Sequence, residues 1–182
     1  EAYSCDLLEC SWGHPEWHIQ WDAIETAYGQ HWDMMIAHPP CTYLSLAGNR
    51  WFDEERYGEK AVQRKKDREE AIVFFMKFVN APCERICIEN PLWTINTRYR
   101  KPDQIIHPYM FWDPERKATG LWLKNLPKLT PTNIVEPNII EYKNGRWTDS
   151  AWHINTINLP KAEEFTKGED YFPYLKPENY NG

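Results

Sequence analysis

Residues 34–52 read MMIAHPPCTYLSLAGNRWF. A compact apolar run, bounded in front by Asp33, stops at Pro39-Pro40, and Cys41 follows directly. Thr42, Ser45, Gly48-Asn49 and Arg50 come next. The run has the length and composition of a buried strand. Proline fixes φ and removes an N–H donor, so the strand ends there and the loop after it is stiff.

Residues 53–80 follow as the clearest helical stretch. Its first half is charged and reads as a solvated face. Ala71, Ile72, Phe75, Phe78 and Val79 form an i, i+3/i+4 apolar stripe in its second half. Pro82 stops it, and ERICIE (84–89) reads as a second short buried strand ending at Glu89-Asn90-Pro91. Strand, polar loop, long helix and strand make a βαβ unit, so the two strands are expected to be parallel. Their carboxyl ends then share one edge, where open α/β sheets bind ligands. The loops starting at Pro39 and Glu89 should meet at that edge, with Cys41 as a rigidly held thiol and Glu89 as its acid or proton partner.

Toward the N-terminus, AYSCDLL (2–8) is β-compatible, CSWGHPEW is a loop, and HIQWDAIETAY is a short extended piece and then a short helix. Toward the C-terminus, QIIHPYMFW and KATGLWLKNL read as two strands joined by DPER, an antiparallel extension of the sheet. PNIIEYKNGRW reads as a hairpin turning at Asn144-Gly145. The final residues read as a loose aromatic wrap with one short helix at Lys161–Thr166. The expected organisation is an α/β domain over 1–135 and a Pro-, Asn- and aromatic-rich extension over 136–182 packed on it.

The 182 residues fit one domain of ordinary size. Hydrophobic content of 42% and aromatic content of 15% supply a core. Ten Trp and ten Tyr imply many half-buried rings with polar tips. A net charge of −6 argues against a broad, nonspecific grip on phosphate backbones. Five Cys without framework spacing, and no signal-type or membrane-length run, lead to an expectation of reduced thiols in a cytoplasm.

The order Pro-Pro-Cys, Ser, Ala-Gly and then Glu-Asn at the end of the next strand resembles the DNA cytosine-5 methyltransferases, and most closely a short phage-encoded group. Stretches RKPDQII and KATGLWLKNLPKLTPTN extend the resemblance over nearly the whole chain. It implies a Rossmann-like methyltransferase sheet, mostly parallel with an antiparallel extension. It implies Cys41 as nucleophile, with Glu89 and Asn90 as catalytic partners and Pro40 and Ser45 against the substrate. S-adenosylmethionine is the implied cofactor, with Asp6 at its ribose, Asp22 at its adenine and Pro39 beside them. DNA or a nucleotide is the implied substrate, in a phage-infected cell, with a homo-oligomer or partner chain left open.

The implied chemistry has a plain logic. Thiolate addition at cytosine C6 makes C5 an enamine-like carbon that attacks a methyl donor, while a carboxylic acid at N3 steadies the adduct. The thiolate needs positive or N–H-rich surroundings, for which Arg50, Arg98 and Arg100 are candidates. The family's Gly-rich turn, its Gln-x-Arg-x-Arg motif and its large target-recognition region are not visible in this sequence. The first strand of the sheet is therefore expected to be missing ahead of Glu1, leaving a gap beside strand 2–8. The other function class in play is a catalytically silent nucleotide- or nucleic-acid-binding protein, such as a phage counter-defence or interaction factor.

Other motifs read as structure. Cys5, Cys10, His14 and His18 offer ligand-type side chains, but their spacing matches no common zinc signature, and no zinc is expected. Cys83 and Cys87 read as buried thiols, and His107 and His153 as satisfied polar groups. PPCTY resembles the Asp/Asn-Pro-Pro-Tyr loop of amino-methylating enzymes only faintly, because His38 stands at its acidic or amide position. The tail YFPYLKPENY reads as cover for an apolar surface rather than a base-stacking platform.

Overall fold

The structure is a computed structural model, and it describes residues 1–11, 13–138, 140–141 and 147–148. Strand β1 (Ser4–Asp6) lies parallel to β2 (His18–Gln20), with Cys5 opposite Ile19. Asp22 caps the helix that follows, α1 (Ala23–Gly29), its carboxylate accepting from the N–H groups of Ile24 and Glu25. The chain then enters β3 (Met35–Ala37).

The helical stretch after the Pro-Pro loop is two helices rather than one. Asp53 caps α2 (Glu54–Tyr57), and Gly58 then takes φ +53° before α3 (Glu59–Val79) begins. Side chains other than glycine rarely adopt that φ, so the break lies where the sequence has glycine. The apolar stripe packs as its period requires: Phe75 and Phe78 are buried, and Phe75 meets Trp122 edge-on at 5.3 Å. The charged half is not simply solvated. Ala61 is fully buried there, and Arg64 and Arg68 hold the loop of residues 42–49.

Strand β4 (Ile86–Pro91) pairs in parallel with β3, Ala37 opposite Ile88, as the βαβ spacing requires. Ile86, Ile88 and Asn90 are buried, and Cys87 and Glu89 between them are half-buried. Short helix α4 (Thr94–Arg98), β5 (Gln104–Ile106) and β6 (Thr119–Lys124) complete this layer. The order is β3-β4-β6-β5, with β6 antiparallel to both neighbours, which is the expected antiparallel extension. A last antiparallel pair, β7 (Ile140–Glu141) and β8 (Trp147–Thr148), occupies the expected hairpin arms. Its turn, the Lys161–Thr166 helix, His153 and the aromatic tail lie outside the described residues.

The fold is therefore α/β, with mixed sheets rather than one mostly parallel sheet. β3 is also less buried than its apolar run implies: Ile36 is 56% exposed, because β3 is an edge strand with β4 on one side only. Among the described residues no helix is long and apolar enough to cross a membrane.

Candidate active site

The parallel register of β3 and β4 sends two loops off one sheet edge. His38 leaves β3 beside the end of β4, and its Nδ1 lies 3.2 Å from Glu89 Oε2. One residue on, Asn90 is 1% exposed and donates from Nδ2 to the Pro39 carbonyl at 2.7 Å. That bond ties the end of β4 to the Pro-Pro turn. Cys41, three residues past His38, is exposed. Its Cα therefore lies within about 11 Å of that of His38, the reach of an extended chain.

The loop beyond Cys41 is fixed from three directions. The Cys41 carbonyl accepts from the N–H groups of Leu44 and Ser45, each at 3.0 Å, closing a tight turn. Leu44 is fully buried, and its carbonyl accepts from Thr94 at the start of α4. From α3, Arg64 donates to the Thr42 carbonyl at 2.9 Å, and Arg68 donates to the Tyr43 carbonyl and the Asn49 side chain, both at 3.0 Å. The Arg68 guanidinium sits 3.4 Å from the centre of the Phe52 ring. Burial, and then the neighbouring Arg64 charge, pull the Arg68 pKa down from the usual arginine range.

Of the predicted arginines, Arg50 is exposed over the Trp51 ring. Arg98 forms a bidentate pair with Glu69, which raises its pKa and lowers that of Glu69. Arg100 pairs with Asp103 at 2.8 Å, beside β6. The cations tied to the Cys41 loop are instead Arg64 and Arg68. Their sequence signal is an i, i+4 arginine pair on the helix face next to the loop. His38 is the other residue that sequence reasoning set aside.

Asp6, Asp22, Pro39 and Pro40 line one cavity of about 590 Å³. Such volumes suit small-molecule ligands. One oxygen of each carboxylate already accepts a backbone N–H, from Leu8 for Asp6 and from Ile24 and Glu25 for Asp22. The second oxygen of each is left for a hydroxyl or amine donor, and S-adenosylmethionine carries both, so the donor set fits it. Cys5 and His18 are engaged in local hydrogen bonds, and His14 stacks on Trp17. Among the described residues no group of three or more His, Cys, Asp or Glu side chains is placed to hold a metal ion. Burial, with the Glu89 charge adding to it, pushes the Cys87 thiol up.

No family model, curated protein or solved structure matches this chain.

Proposed function

We propose that the protein is a cytosine C5 methyltransferase-like enzyme dependent on S-adenosylmethionine, acting on DNA or a nucleotide. The observation that supports this is the meeting of the Pro-Pro-Cys turn and the Glu89 carboxyl group at the shared end of β3 and β4. In this reading Cys41 adds as a thiolate to cytosine C6, and the electron pair gathers on C5 and toward N3. Glu89 donates a proton or hydrogen bond at N3 through Oε1, while His38 holds Oε2. Bound between Asp6 and Asp22, S-adenosylmethionine would supply an electrophilic methyl group to C5. Loss of the C5 proton to solvent and rupture of the S–C6 bond restore the aromatic ring and the free Cys41. Arg64, Arg68 and Asn90 keep the loop from drifting as the sulfur moves from free to bonded and back.

The test is transfer of labelled methyl from S-adenosylmethionine to single-stranded and duplex cytosine-containing DNA and to dCTP. Wild type is expected to label at least one substrate, Cys41→Ser none, and Glu89→Gln about a hundredfold less than wild type. A Cys41→Ser variant with full activity sinks the proposal. Oligonucleotide binding without transfer by wild type supports the catalytically silent reading instead.

A further inference from the structure

Two strand edges face each other across the cavity. β1 pairs only with β2, and β3 pairs only with β4. Yet Ser4, Cys5 and Asp6 of β1 line the same space as Met35, Ile36 and Ala37 of β3. Alternate residues of a strand direct their N–H and C=O groups to opposite sides. The Asp6 carbonyl accepts from Trp21, on the β2 side, so the main-chain groups of Cys5 point away from β2. The Met35 N–H donates to the Arg85 carbonyl at the start of β4, so the main-chain groups of Ile36 point away from β4. Both edges thus present hydrogen-bonding groups to a common cavity.

The cavity also has the size of a strand. A strand lane is about 4.8 Å wide, about 10 Å deep and about 3.3 Å long per residue, roughly 160 Å³. The 590 Å³ measured here holds about four residues on that scale; β1 and β3 have three residues each. Ala27, Trp32, Phe74 and Phe78 line the same space, so an occupant's side chains would meet apolar groups. Asp6, Asp22 and Pro39 sit at or just past the carboxyl ends of β1, β2 and β3, at the lane's mouth rather than along its length.

We propose that this groove is a slot for a fifth lane of sheet: an extended, apolar segment of the same polypeptide, joined ahead of Glu1, that bonds Cys5 on one side and Ile36 on the other. Tyr3 already lines the groove, so a joined segment starts beside it. A tether supplies roughly millimolar effective concentration, whereas a separate peptide first meets an association cost of about 4–15 kcal/mol. The slot does not depend on the reaction at Cys41, because both edges exist whatever that loop does.

The experiment fuses a probe strand, Thr-Val-Ile-Val-Lys, and a flexible Gly/Ser linker of about a dozen residues ahead of Glu1. A control carries Ser and Gly in place of the probe. Amide hydrogen exchange is read by NMR. The apolar probe, and not the control, is expected to slow exchange at both Cys5 and Ile36 by about tenfold or more. Should the fusion not fold, the free probe peptide at millimolar concentration with the unfused chain must slow the same two amides. Unchanged exchange at either position overturns the proposal. So does protection of both amides in the unfused chain with a doubled mass in sedimentation, because a second copy would then be the occupant.

Discussion

Asn90 was legible in the sequence as part of a catalytic Glu-Asn pair, but its amide has a structural duty that spacing alone does not reveal. Its side chain is buried against the Pro39 carbonyl, so the same atoms that mark the motif also fix the turn that carries Cys41. Asn90→Ala leaves that carbonyl unpaired in a buried place, which costs about 1–3 kcal/mol. The urea midpoint should fall accordingly, and methyl transfer should fall with it because the turn is loosened. A variant with wild-type midpoint would show that the bond carries no weight. Gly48 is a second such point. A Cβ there would lie 2.7 Å from Arg64 Nη2 and 3.1 Å from the Thr42 carbonyl, the two groups that bond each other across the loop. Gly48→Ala is therefore expected to break the Arg64 bond and destabilise by about 1 kcal/mol, read from the same urea curves.

Helix α3 shows how much a periodic pattern tells and where it stops. Its apolar stripe identified the core face correctly, since Phe75 and Phe78 are buried. The pattern could not say what the charged face meets. Arg64 and Arg68 look like solvated residues until the loop of residues 42–52 is folded over them, and that is tertiary information. Arg68 combines a fork of donors with a flat face on Phe52, which lysine cannot reproduce. Strands β5 and β6 carry a pH-dependent tie of the same kind. The Asp103 carboxylate accepts from the Leu123 N–H at 2.7 Å and from Arg100 at 2.8 Å. Burial alone would raise its pKa, but these donors outweigh burial and hold it below the usual carboxylate value. A depressed folded pKa gives stability that is present above the unfolded value, near pH 3.8, and is lost as pH falls through the folded one. Thermal melts of wild type should therefore lose stability below about pH 4 more steeply than those of Asp103→Ala. Parallel melting curves for the two would remove Asp103 from the acid limb.

The molecule as a whole divides along the groove, and its stability should divide there too. Every buried residue of the main apolar cluster comes from β3, β4, β6, α3, α4 or the loops among them, Trp122, Phe75 and Ile88 included. β1 and β2 contribute none; α1 bridges the two parts through the partly buried Ala23 and Ile24. The sequence reading placed both short strands and expected a gap beside residues 2–8, because an apolar run next to an acidic turn is visible locally. It did not foresee two separate sheets, since strand order depends on pairings between residues far apart in the chain. Three-residue strands with one neighbour each and no fully buried side chain are poorly protected against local opening. Native-state hydrogen exchange in increasing denaturant separates the cases. Amides of β4 and β6 are expected to exchange only through global unfolding, with the full denaturant slope. Amides of β1 and β2 should exchange through openings with a slope near zero and a much lower free energy. If all four strands share one slope and one free energy, the two sheets open as a single unit and the division along the groove is wrong. If they separate, an occupied slot should raise the β1 and β2 amides toward the global limit, because the added strand would join them to the sheet that carries the core.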